Sequence, residues 1–227
     1  SLAALYAVKS LLDDGIQFTK RIRFIFGTDE ETLWRCMNRY NQIEEQADLG
    51  FAPDSSFPLT YAEKGLLQVK LHGPGWDDLP LQAGQALNVV PDKATYAGHR
   101  LEELLPVLDQ SGVRYSQTED SVTVLGVSKH SKDAAEGVNA IVGLAESLSL
   151  IQPHPALLFI ADAVGEDATG EALFGPISDE PSGDLSFNLA TLVIDQEQSE
   201  IGIDIRIPVL ADKDALVARL QEIAASY

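Results

Sequence analysis

The 227 residues are 45% hydrophobic, enough for one large or two modest cored domains. A formal net charge of −19 excludes nucleic acid and anionic membrane surfaces as natural partners, because either would bring like charges together. No apolar run of about 18 residues is present to span a bilayer, and Cys36, the single cysteine, cannot form an internal disulfide and predicts a reducing, cytoplasmic setting.

In chain order, Leu2, Leu5, Tyr6, Val8, Leu11 and Leu12 fall on one broad helical stripe that Gly15 ends. Residues 21–26 (RIRFIF) predict a short apolar strand, and Gly27-Thr28 closes it. The acids Asp29, Glu30 and Glu31 would then project from a sheet edge, where open α/β sheets keep their ligands. Adjacent carboxylates there repel one another unless a cation takes up the charge, which makes two unlike roles, base and ligand, possible for Glu30 and Glu31. The alternative is an acidic first turn of a helix over 31–46. A second strand at 48–52 ends at Pro53-Asp54, so another carboxylate sits at a strand end. Helix, strand, helix, strand predicts an α/β fold over residues 1–65, a slice of a doubly wound parallel sheet with an open edge.

From residue 66 the pattern becomes antiparallel α+β. A strand at 66–71 leads into the turn-rich 72–78, where His72 is a solvated loop residue. Strands at 86–90 and 93–97 precede a helix at 99–111 striped by Leu101, Leu104, Leu105 and Leu108. A hairpin follows, 113–117 with 121–127, turning at Glu119-Asp120. His130 comes next, before a helix at 136–150; a lone histidine in such a place is ordinarily structural or solvated. Residues 155–163 predict a buried helix, and 165–184, rich in Gly, Pro and acids, a surface loop. Strands at 185–195 and 200–207 form a second hairpin, and 210–226 the closing helix. Arg206 shares a strand face with Asp204, which predicts a displayed side chain, available for an ion pair or for a ligand.

Five ordered stretches carry a likeness to a known family: GTDEE (27–31), FAPDSSFP (51–58) with EKG (63–65), LNVVPDKA (87–94), HSKDAAEGVNAI (130–141) and IDIRIPV (203–209). The chain resembles the two-zinc amidohydrolases that include aminoacylase, carboxypeptidase G-type enzymes, succinyl-diaminopimelate desuccinylase and bacterial dipeptidases. The resemblance implies that Glu30 is the general base, Glu31 a ligand of one zinc and Asp54 a ligand of the other. It implies that His130 steadies the oxyanion, and that Asn88 and Arg206 hold the substrate, Arg206 through its carboxylate. Where relatives have Ser and Pro two and four residues after the histidine, this chain has Lys132 and Ala134, which predicts a looser loop around His130.

The family's upstream His-x-Asp, its bridging Asp and its far C-terminal His find no counterpart here. The expectation is therefore an internal piece of a longer enzyme: residues 1–65 part of the catalytic domain, and 66–227 a lid domain lacking its last strand. The implied parent is a monomeric, cytoplasmic, zinc-dependent hydrolase of unmodified dipeptides with two zinc ions. Because this chain carries an incomplete ligand set, it would be inactive alone. The alternatives are an N-acyl amino acid amidohydrolase of the same family and a non-catalytic lid-like binding or dimerisation module.

Overall fold

A computed structural model describes residues 2–29, 34–54 and 57–227. The fold is mixed α/β, with antiparallel sheets and several helices. It divides into two compact units, Ser1–Tyr61 and Ala62–Tyr227.

The first unit contains α1 (Leu2–Asp13) and α2 (Arg35–Ile43). Neither helix buries a residue, and the stripe of α1, including Leu2, Leu5, Tyr6, Leu11 and Leu12, is exposed. The strands predicted at 21–26 and 48–52 are not formed; the described residues of this unit contain no sheet. A strand's N–H and C=O groups need a neighbouring strand to pair with, and an apolar run alone cannot supply one. Polar contacts hold the unit instead. Arg23 donates to the Tyr40 hydroxyl (2.6 Å) and the Glu45 carbonyl (2.8 Å), its guanidinium carbon 5.8 Å from the Tyr40 ring centroid. The start of α2 is held by Asp29, whose Oδ2 accepts from Arg35 N–H (2.9 Å) and Arg35 Nε (2.8 Å). The helix predicted over 31–46 is thus Arg35–Ile43, with no acid in its first turn, and Asp29 braces its start from outside the helix.

The second unit is α+β. Its main sheet runs β1 (Gly65–Pro74), β9 (Gln198–Ile207), β8 (Ser186–Ile194), β2 (Leu81–Ala83), every neighbour antiparallel. A second sheet runs β3 (Lys93–Tyr96), β5 (Val122–Leu125), β4 (Tyr115–Gln117). Helix α3 (Leu101–Ser111) buries Leu104 and Leu108 of its predicted stripe. Helix α4 (Ala140–Ser149) is apolar almost all round and packs on β3, β5, β8, α3 and α5 (Pro155–Leu158), as a central helix should. Past α5 the chain widens into a π-helical turn, Phe159–Val164. Residues 165–184 hold more structure than a loop: α6 (Glu171–Phe174) and the small hairpin β6 (Ser178–Asp179) with β7 (Gly183–Asp184). Helix α7 (Lys213–Ala224) closes the chain. Among the described residues, no helix is long and apolar enough to cross a membrane.

Two further departures from the sequence expectation have identifiable reasons. The strand predicted at 86–90 is a turn with one bridge, Val89 to His130, and the strand that pairs with β8 is β2, three residues long and too short to show a period. Gly84 (φ +78°) lies against Ala190, where β8 bulges; a Cβ there would come within 1.9 Å of the Ala190 carbonyl oxygen. The helix predicted from 136 begins at Ala140, because Asn139 caps it, its Oδ1 accepting from the N–H groups of Ile141 (3.0 Å) and Val142 (3.3 Å).

His154 joins α5 to the end of β1. Its Nδ1 accepts from Ala156 N–H (3.1 Å) and its Nε2 lies 3.1 Å from the Pro74 carbonyl, so the ring is neutral with its proton on Nε2. The ring is 2% exposed and stacks on Trp76 at 5.7 Å. Burial pushes its pKa below the ordinary 6.5, against the opposing pull of the Pro74 carbonyl. The unfolded chain therefore takes up a proton at higher pH than the folded one, and stability falls as pH drops below 6.5. Urea midpoints are expected to decline from pH 7.5 to 5.5. His154→Asn, which can still cap α5 but cannot titrate, should be less stable at pH 7.5 and show a flatter decline over the same window.

Candidate functional site

The second unit gathers three of the residues that the sequence singles out. Asn88 lies in the turn after β2 and His130 at the end of the segment after β5. The two stretches are joined by the Val89–His130 bridge, by Val90 N–H to the Lys129 carbonyl (2.8 Å) and by Ser131 N–H to the Asn88 carbonyl (2.9 Å). Arg206 reaches the same place from β9, its Nη2 donating to Ser131 Oγ (3.1 Å). Asn88 and His130 are exposed; Ser131 between them is 0% exposed.

His130 starts a 3-10 segment, Ser131–Glu136, by accepting at Nδ1 from Lys132 N–H (3.2 Å). A neutral imidazole that accepts at Nδ1 carries its proton on Nε2. The exposed ring thus presents an N–H donor, the form that stabilising an oxyanion requires. Ala134 is buried, and the loop's base is closed by paired hydrogen bonds between Val127 and Val138 (2.9 and 3.1 Å). Gly126 makes that closure possible, since a Cβ there would stand 2.1 Å from the Val138 carbonyl oxygen.

Arg206 is not simply displayed. It is 20% exposed and paired with Asp204, which is fully buried: Nε to Oδ1 is 2.8 Å and Nη2 to Oδ2 is 3.3 Å. Gln68 Nε2 completes the pair, 2.9 Å from Asp204 Oδ2. A period of two puts both residues on one face correctly, but the loops lie over that face and bury it.

Glu30 and Glu31 lie outside the described residues, and Asp54, in the first unit, is exposed. Among the described residues, no three His, Cys, Asp or Glu side chains come together as a metal site needs. Each catalytic zinc takes about three protein ligands, and the described donor set does not fit a zinc pair.

Two supports carry no sequence signal. Ser186 Oγ donates to the Ser131 carbonyl. Asn188 Nδ2 donates to the carbonyls of Leu87 and Val89, both at 3.0 Å, gripping the residues on either side of Asn88. Both lie on the face of β8 that alternates with the core residues Phe187 and Leu189, and their partners are distant in the chain. A cavity of about 270 Å³ lies nearby, lined in part by Val90, Ala134, Asn139 and Phe187; Asn88, His130 and Arg206 do not line it.

No protein-family profile matches the chain. Curated relatives do. The chain is 34% identical over 239 residues to a Bacillus subtilis protein named "Putative dipeptidase YtjP", covering 95% of this chain and 52% of that protein. It is 30% identical over 252 residues to "Putative dipeptidase SH1171" of Staphylococcus haemolyticus, covering 100% and 54%. It is 34% identical over 233 residues to "Putative dipeptidase MW1694" of Staphylococcus aureus, covering 92% and 50%. These relatives are dipeptidases by name. The chain spans about half the length of the curated relatives it matches.

Asn188→Ala leaves two carbonyls without donors, at about 1–3 kcal/mol for each group that stays buried. Because Ala also removes the buried Asn188 Oδ1, unpartnered among the described residues, urea unfolding should show a net loss of about 1 kcal/mol or more, with the amides of residues 87–90 exchanging faster.

Proposed function

We propose that this chain forms the substrate-holding part of a peptidase that acts on unmodified dipeptides. The observation that carries the reading is the convergence of Asn88, His130 and Arg206 on Ser131, and the relatives' names support it. A dipeptide offers a free carboxylate, a carbonyl that becomes an oxyanion, and a free ammonium. The Arg206 guanidinium matches the carboxylate, the His130 Nε2–H the developing oxyanion, and Asn88 donates or accepts beside them. In this reading Glu30 takes a proton from the attacking water and returns it to the leaving amine. Glu31 and Asp54 would each give one ligand to a zinc pair, and two ligands are fewer than even one catalytic zinc requires.

The test is a panel of unmodified dipeptides and their N-acetyl counterparts, offered to the whole protein that contains this chain. Cleavage of the unmodified set, at least 10-fold above the acetylated set, is expected. His130→Ala should lower kcat by about 100- to 1,000-fold, the usual loss of one oxyanion donor, and Arg206→Ala should raise KM. The reading fails if no dipeptide is cleaved, or if the acetylated set is preferred.

A further inference from the structure

Ser131 spends each backbone polar group and its hydroxyl oxygen on a different segment. Its N–H bonds the Asn88 carbonyl (2.9 Å), its carbonyl accepts from Ser186 Oγ, and its own Oγ accepts from Arg206 Nη2 (3.1 Å). Arg206 in turn is held edge-on by Asp204, which Gln68 fixes from β1. A chain of contacts therefore runs from the buried Asp204 through Arg206 to Ser131, which is bonded covalently to His130 and through hydrogen to Asn88. Among the described residues, Arg206 Nη1 takes no hydrogen bond or ion pair.

We infer that Asp204 and Ser131 are positioning residues: Asp204 orients Arg206, and Ser131 links Arg206 to the two loops so that Asn88 and His130 keep one arrangement. Each link in this chain of contacts has little freedom. A carboxylate with no solvent access keeps its donors, because losing one leaves a buried charge unmatched. An arginine bound through Nε and Nη2 has its plane set by that pair, which leaves the far edge, with Nη1, as the part able to meet another group. Ser131, 0% exposed, cannot exchange its partners for water. Movement of Arg206 would thus be felt at Ser131 and in both loops. As a statement about catalysis this rests on the dipeptidase reading; as a statement about loop order it does not.

The experiment has two arms, each with Asp204→Asn and the smaller change Ser131→Ala. In the first, amide hydrogen exchange is followed in this chain. The amide of residue 131 and that of Val90 should exchange at least 10-fold faster in both variants, while those of Leu144 and Leu148 in α4 stay as in the parent. Residue 131 protected as before, or loosening only in step with α4, overturns the inference. Should Asp204→Asn fail to fold, Ser131→Ala decides this arm alone. In the second arm, the whole protein is assayed on dipeptides. Both variants should lose at least 10-fold in kcat, and Asp204→Asn should also raise KM. Unchanged kcat and KM in an active enzyme overturns the catalytic part. An inactive parent protein sinks the dipeptidase reading instead, and the exchange arm still decides whether Asp204 and Ser131 order the loops.

Discussion

A carboxylate sealed from solvent must find its own counter-charge, and Asp204 imposes that constraint on the second unit. The effective cost of burying an unmatched ion is several kcal/mol. Asp204 is matched by Arg206 and Gln68, on its own strand and on its neighbour. The match divides the sheet into two unlike faces. Ile203, Ile205 and Ile207 of β9, with Phe187 and Leu189 of β8, belong to the apolar core, to which α4 also contributes. Gln68, Ser186, Asn188, Asp204 and Arg206 fall on the alternate period, and the turn after β2 and the 3-10 segment after His130 supply partners for them. One sheet thus serves as core on one side and as a polar template for two loops on the other.

Much of this could be read from the residues, and the exceptions have a common cause. The stripe of α3 and the hairpin of β8 and β9 are repeated local patterns long enough to register as a period. The face shared by Asp204 and Arg206 follows from period two alone, and so does their pairing as one of two open alternatives. What could not be read is whatever depends on a distant partner. The apolar runs at 21–26 and 48–52 have strand composition, but among the described residues no strand pairs with them. The three residues of β2 have a partner in β8 without enough length to reveal it. Ser131 is the sharpest case: a small polar residue beside a histidine looks like loop filler, and its bonds run to positions 88, 186 and 206.

The loop that carries His130 is ordered without any proline of its own. Alanine at position 134 brings none of the φ restriction that proline would. Here the restriction comes from elsewhere. Gly126 lets the strands close at Val127 and Val138, Lys129 Nζ reaches Glu136 Oε2 at 2.8 Å, and the His130 ring accepts the first free N–H of the 3-10 segment. The cap has a chemical consequence as well as a structural one, since it occupies Nδ1 and leaves the proton on Nε2. Backbone geometry and the tautomer of the neutral imidazole are therefore set by the same hydrogen bond.

Asn188 argues that this polar face is kept for more than stability. Its orientation is settled by two carbonyl oxygens at 3.0 Å, so the amide nitrogen must face them and the oxygen must face away. That Oδ1 is buried and, among the described residues, has no hydrogen-bond partner, a cost of about 1–3 kcal/mol. An apolar residue would remove the orphan oxygen and suit a strand whose neighbours Phe187 and Leu189 are already core. It would also release the carbonyls of Leu87 and Val89, which bracket Asn88. Stability alone pulls both ways on that exchange, with one acceptor relieved against two orphaned. Placement of Asn88 pulls only one way: both of its neighbours are tied to the central sheet through a single side chain, so an exposed amide in a turn inherits the order of a buried strand.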